Sequence, residues 1–239
     1  MSPVIGTAGW SIPTNDASHF GAGSSTLTRY ATRFGGVEIN SSFHRPHRRA
    51  TWERWAASVP ASFRFAVKMP KTISHGNKLA GCGHLLADFL GEVGGLGDKL
   101  AILLLQLPPK LAFDPAVAEP FLTELAAATP ALLVCEPRHP SWFEPAQDAL
   151  LDSLRVARAA ADPAIVPSAS LPGGWRGLSY WRLHGSPLIY RSSYDDGRLD
   201  LYASLLREER LAGRPAWCMF DNTASSAAVG DAAGLVARL

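Results

Sequence analysis

The chain of 239 residues carries 23 Lys and Arg against 21 Asp and Glu, a net charge of +2 with neutral histidines, and it is 47% apolar. That composition excludes intrinsic disorder and collagen-like repeats, and a charge so near zero excludes a general affinity for nucleic acid or anionic membranes. No apolar run approaches the ~20 residues that cross a bilayer, and Met1-Ser2-Pro3-Val4 lacks a charged and then greasy leader, so a cytoplasmic protein is expected. Cys82, Cys135 and Cys218 are widely spaced, which fits a reducing compartment and no zinc cluster.

The first strand is expected over 4–10. Leu27, Tyr30, Ala31 and Phe34 follow at the spacing of one helix face, with Ser24 or Ser25 as the cap. A second strand over 36–40 precedes Trp52, Trp55, Ala56 and Val59 at that same spacing. A third over 64–69 leads to the stripe Leu85, Leu86, Phe89, Leu90 and Val93. The fourth, 100–107, contains the unbroken run Ala101-Ile102-Leu103-Leu104-Leu105 of a strand covered on both faces, as in parallel sheets. Asp114-Pro115 supplies an N-cap and a first-turn proline ahead of Val117, Phe121, Leu122 and Leu125. A fifth strand is expected over 132–138. Segment 156–162 is alanine-rich and has helical propensity; only the repeat assigns it the sixth strand. Residues 163–177 hold several Pro and Gly and no amphipathic face, so an irregular loop with at most one turn replaces a helix there. Strands over 179–185 and 216–222 complete the series, with helices marked by Leu201, Leu205 and Leu206 and by Ala228, Ala232, Leu235 and Val236.

Units repeating about every 30 residues, with no linker between them, predict one domain over 1–239. The alternation is α/β, and eight units favour a TIM-like (β/α)8 barrel over an open doubly wound sheet. Gly6-Thr7-Ala8-Gly9 is not a G-x-G-x-x-G loop and no P-loop occurs, so the sequence names no cofactor.

The strand ends carry the functional information. Residues two apart on a strand share a face, which pairs Glu38 with Asn40, Glu136 with Arg138 and Arg182 with His184. Ile39 and Leu183 between them are expected to face the helices. Lys68, Gln106, Asp162, Asp221 and Asn222 end the other strands, at the carboxyl end where barrel enzymes keep their active sites. Cations Lys68, Arg138 and Arg182 meet anions Glu38, Glu136, Asp162 and Asp221. Such a ring either closes the barrel as an ion-pair network or offers donors to an anionic group.

The favoured expectation is a small phosphate- or carboxylate-bearing ligand in this mouth, with hydrolysis or proton transfer by Glu38, Glu136 and His184. Trp10, Asn40, Lys68, Gln106, Arg138, His139, Asp162, Arg182, Tyr190, Asp221 and Asn222 are the expected binding residues. A metal-dependent phosphoesterase is an alternative, with Glu38, Glu136, Asp162, Asp221 and His184 as donors, but no H-x-H or H-E-x-x-H spacing supports it and no metal ligand is assigned. The basic run His44-Arg45-Pro46-His47-Arg48-Arg49, followed by Trp52 and Trp55, raises nucleic-acid processing; it is not favoured, because the tryptophans already sit at helix-face spacing. A non-catalytic module for a small anion uses the same mouth, with Trp10, Trp142 and Tyr190 as walls. Cys135 and Cys218 lie in apolar runs and read as packing residues, and no G-x-S-x-G elbow marks a serine nucleophile.

Several motifs appear in order: Gly6-Thr7-Ala8-Gly9-Trp10-Ser11, Val37-Glu38-Ile39-Asn40-Ser41-Ser42-Phe43, Phe63-Arg64-Phe65-Ala66-Val67-Lys68, Gln106-Leu107-Pro108-Pro109, Glu136-Pro137-Arg138-His139-Pro140-Ser141-Trp142, Arg182-Leu183-His184-Gly185 and Phe220-Asp221-Asn222. From about Val4 to the C-terminus the chain resembles the YecE-like family, domain of unknown function 72. The resemblance implies a TIM-barrel-like fold and a cytoplasmic protein, and it implies no reaction. The sequence departs from the family's usual pattern at His44, where a tyrosine is usual, at Glu136-Pro137-Arg138-His139 in place of Glu-Phe-Arg-His, and at Ser74-His75 in place of Thr-His.

Overall fold

A computed structural model describes residues 2–239. Each expected strand is present, and all but the one over 156–162 end one to three residues earlier than expected. The strands are β1 (Val4–Thr7), β2 (Gly36–Ile39), β3 (Arg64–Lys68), β4 (Leu100–Gln106), β5 (Leu132–Glu136), β6 (Val156–Arg158), β7 (Ala160–Asp162), β8 (Gly173–Gly174), β9 (Ser179–Leu183) and β10 (Ala216–Phe220). They form a four-stranded sheet, β1-β10-β9-β7, and a six-stranded sheet, β2-β3-β4-β5-β6-β8. Pairing is parallel except between β6 and β8.

The expected closed ring of eight strands is not found; the ladder is interrupted twice. Between β1 and β2 a single parallel bridge joins Ala8 to Glu38. Beside it the buried Tyr30 hydroxyl accepts from Thr7 N (2.9 Å) and donates to Gly36 O (3.3 Å), standing in for ladder bonds. The second interruption divides the expected strand over 156–162 at Ala159. Its first part pairs with β5 and its second with β9, so one short extended segment serves both sheets. The loop at 163–177 is irregular as expected, with a 3-10 turn at Pro167–Ser170, but it also contributes β8 against β6.

Helices α1 (Thr26–Tyr30), α3 (Arg49–Ala57), α4 (Gly83–Val93), α5 (Pro115–Ala128), α7 (Asp196–Leu211) and α8 (Ala227–Val236) form where apolar stripes are expected, while α2 (Ser41–His44) is a single turn. Ser25 caps α1 by accepting from Thr28 N, and Asp114 caps α5 by accepting from Ala116 N ahead of Pro115. Helix α6 (Pro145–Ser153), for which no stripe is expected, buries Leu151 alone. In α7 the expected stripe fails: the buried face also takes in Leu199, Tyr202, Ala203 and Glu209 beside Leu206, and Leu201 is 56% exposed. Val236 of α8 is exposed as well.

Side-chain alternation sorts the strands into two apolar layers. Ile39, Val67, Leu103, Cys135, Leu183, Cys218 and Phe220 pack outward against the helices. Ala66, Ile102, Leu104, Val134, Tyr180, Trp217 and Met219 form an inner cluster drawn from both sheets. Cys82, Cys135 and Cys218 are free and buried. Among the described residues no helix is long and apolar enough to cross a membrane.

Candidate functional site

At the carboxyl ends of the strands, above the inner cluster, Arg182 of β9 is the hub of a buried charge network. Its Nε and Nη2 donate to Glu38 Oε2 (2.9 Å) and Oε1 (2.6 Å), Nη1 to Glu136 Oε2 (2.6 Å), and Nη2 also to Asp221 Oδ2 (3.0 Å). Tyr180, two residues earlier on the same face, donates to Glu38 Oε2 (2.8 Å). His184 bridges the remaining members, with Nδ1 3.0 Å from Asp221 Oδ2 and Nε2 3.0 Å from Glu136 Oε1 and 2.7 Å from Arg138 Nη2. The same Arg138 nitrogen lies 2.7 Å from Glu136 Oε1. Nδ1 thus faces one carboxylate, while Nε2 is shared between the Glu136 carboxylate and the Arg138 guanidinium.

Burial by itself raises a carboxyl group, yet Arg138, Arg182 and His184 outweigh it and hold Glu136 well below the usual carboxylate range. Asp221 is lowered in the same way, against burial, by Arg182 and His184. For Arg182 burial favours loss of the proton, but Glu136, Glu38 and Asp221 drive it well above its ordinary value. Glu38, Glu136 and Asp221 are thus each paired with Arg138 or Arg182.

Over this floor opens a cleft of about 630 Å³ whose walls include Asn40, Lys68, Gln106, Arg138, Tyr190 and Asp221. The turn α2 brings Phe43 and His44 to its rim, and a π turn at Thr72–Gly76 brings His75. Ser42 ties these pieces together by donating to Lys68 O (2.7 Å). The Lys68 ammonium lies 4.0 Å from the centre of the Phe43 ring and forms no ion pair among the described residues. Burial and the Arg182 charge bring it down to about 8, against the pull of Glu136, Glu38 and Asp221. Asn40 Oδ1 and Arg138 Nε are buried without a hydrogen-bond partner.

The structure therefore sorts the expected site residues into three groups. Lys68, Arg138, Asn40, Gln106, Tyr190 and Asp221 line the cleft. Glu38, Glu136, Arg182 and His184 lie beneath it, at most 1% exposed, with their polar atoms bonded to one another. The expectation of Arg182 as an anion donor is corrected on this point, because four of its hydrogen bonds go to carboxylates. Trp10, His139, Asp162 and Asn222 are elsewhere. Trp10 packs edge-on against Trp55. His139 bonds Ser141 at the start of the 3-10 turn Pro140–Trp142, and Trp142, an expected wall, is buried against Phe113. Asp162 pairs with Arg198 of α7 at 2.5 Å, and Asn222 Nδ2 donates to Asp231 Oδ2 in α8 (2.6 Å). Residues not foreseen are Phe43, His75 and Thr223 in the cleft and Tyr180 below it. Tyr180 was within reach, since it shares the inward face of Arg182.

In the basic run, His47 bonds Ser41 and packs on Trp52 and Trp55, and Arg49 pairs with Glu53. Trp52 is 1% exposed and donates to His47 O. Among the described residues no three His, Cys, Asp or Glu side chains are grouped as metal ligands.

A sequence model of the family described as "Protein of unknown function DUF72" matches residues 4–239. The chain belongs to that family. Within DUF72 it is 31% identical over 141 residues to the UPF0759 protein YecE of Escherichia coli strain K12, an alignment covering 58% of this chain and 49% of YecE. It thus spans about half the length of the curated relatives it matches. A crystal structure of a DUF72 family protein from Enterococcus faecalis V583 superposes with a TM-score of 0.82 at 17% identity, covering 99% of this chain and 94% of that one. A second, from Thermotoga maritima MSB8, gives 0.81 at 19% identity over 99% and 98% of the two chains. At these identities the likeness is one of fold.

Proposed function

We propose that this DUF72 protein binds a small phosphate- or carboxylate-bearing ligand in the cleft over its buried charge network. The observation that carries the reading is Lys68: a largely buried ammonium in an open cleft, without an ion pair, in a neighbourhood where Glu38, Glu136, Asp221, Arg138 and Arg182 are all paired. An uncompensated buried cation costs stability, and a ligand anion would offset that cost. Arg138, on the same wall, is a second donor. Catalysis on the bound ligand is part of the proposal: Asp221 faces the cleft and is hydrogen-bonded to His184, which gives a proton route from the ligand into the floor.

We also infer that the two sheets are arcs of a TIM-like barrel. The Ala8–Glu38 bridge at one junction and the split strand Val156–Asp162 at the other support it, as does the inner cluster shared by both sheets. Three free buried cysteines suit a cytoplasmic setting. A nucleic-acid role finds less support, since the aromatic residues after the basic run are taken up in packing.

Calorimetric titration with inorganic phosphate and with lactate tests the binding. Affinity lost about tenfold or more in Lys68→Met, the scale of a hydrogen bond to a charged group, is the expected result. Equal affinity in that variant, or no binding of either anion to the wild type, overturns the reading.

A further inference from the structure

Lys68 ends β3 with its ammonium over a ring face, so no carboxylate holds its proton, and its amine is exposed to a cleft large enough for a small metabolite. Arg138 offers that cleft a guanidinium for a carboxylate or phosphate. Asp221, on the cleft wall, is bonded to Arg182 and His184 through Oδ2, and its Oδ1 makes no hydrogen bond within the chain's described residues. A nucleophilic amine, an anion clamp and a carboxylate able to relay protons therefore share one space.

We propose that Lys68 forms an imine with a small anionic aldehyde or ketone, an α-keto acid or a phosphorylated aldehyde, whose charged group is held by Arg138. This deepens the anion-binding reading and rests on it. The free amine gives its electron pair to the carbonyl carbon, and the carbonyl oxygen takes a proton to give the carbinolamine. The oxygen then takes a second proton as the C–O bond breaks and leaves as water, while the C=N bond forms. Both protons come from the amine nitrogen by way of Asp221, so nothing is oxidised or reduced. Desolvation and a neighbouring cation are the two devices that make a lysine nucleophilic near neutral pH, and both act on Lys68.

The test is reductive trapping on the full chain with pyruvate, and separately with glyceraldehyde 3-phosphate, in sodium cyanoborohydride, followed by peptide mapping. Hydride converts the imine to a stable secondary amine. Exposed Lys71, Lys78 and Lys110 are internal controls. Lys68 is expected to be labelled at least about tenfold faster than these, because a lower pKa leaves more free amine at neutral pH. Its labelling should rise with pH through about 8. The preferred carbonyl tells whether carboxylate or phosphate is recognised, and acetone, which is uncharged, should show no such preference. Lys68→Arg keeps the positive charge but cannot form the imine, so it should lose the adduct. Phosphate binding with no preferential labelling of Lys68 by either carbonyl overturns the imine and leaves the anion site standing. Absence of both overturns both, and equal preference with acetone removes the anionic substrate class.

Discussion

The Arg182 guanidinium meets the Glu38 carboxylate side-on, Nε to Oε2 at 2.9 Å and Nη2 to Oε1 at 2.6 Å, and the two residues belong to different sheets. With the third bond to Glu136 of β5, this pair fastens the four-stranded sheet to the six-stranded one where backbone pairing is thin. Removing one partner of a buried pair leaves an uncompensated charge, so Arg182→Met is expected to cost about 3–5 kcal/mol in urea unfolding. In the double variant Arg182→Met with Glu38→Met the loss should be smaller than the sum of the single losses, since the charges then leave together. A loss under about 1 kcal/mol would mean that the sheets are held by apolar packing alone.

Lys68 should behave in the opposite sense. Its folded value of about 8 lies below the ordinary 10.5, so between those limits the unfolded chain binds more protons and stability rises with pH. Below pH 8 the full penalty is present. Lys68→Met should therefore be more stable than the wild type by about 2–3 kcal/mol at pH 7, with the difference shrinking towards pH 10.5. Parallel pH profiles for the two proteins would contradict this and would deprive the cleft of an unpaired buried cation.

Alternation along single strands made much of this arrangement legible in the sequence. It correctly turned Glu38, Glu136 and Arg182 inward and Ile39 and Leu183 outward. Applied more strictly it would also have corrected two errors: Asp162 shares the outward face of Ala160, and Asn222 that of Phe220. Trp10 and His139 lie beyond the strand ends, where period two carries no information, and local turns decide their direction. Depth was not legible. Nothing in the spacing of Arg182 and His184 says that they lie under the cleft rather than in it; that depends on Glu136 and Asp221 arriving from other strands to neutralise them. The break at Ala159 was hidden too, because a three-residue half-strand on either side looks like one weak strand.

The acid limb of stability should depend on Glu136. Its folded pKa is far below the ordinary 4.5, so its contribution is present above 4.5 and disappears as pH falls through the folded value. Asp221, also lowered, adds to the same limb below its ordinary 3.8. Glu136→Gln should be less stable at pH 7 and should show a flatter decline below pH 4.5. An equally steep decline in that variant would assign the acid sensitivity to other carboxylates, the buried Glu209 with the exposed Arg176 and the half-buried Arg214 being the next candidate.

At the junction of β1 and β2 the backbones approach closely because neither Gly6 nor Gly36 has a side chain. A Cβ on Gly6 would come within 2.3 Å of Gly36 O, a contact no small shift relieves. Gly6→Ala should therefore push the sheets apart and cost more than Tyr30→Phe. The tyrosine variant deletes only a hydroxyl, but it leaves the buried Thr7 N–H without an acceptor, a loss of about 1–3 kcal/mol. Hydrogen exchange separates local from global effects. In Tyr30→Phe the amide of Thr7 should exchange faster by more than the change in overall stability allows, while amides of the β4–β5 ladder follow that stability alone. Unchanged protection at Thr7 would mean that the single Ala8–Glu38 bridge suffices to hold this junction shut.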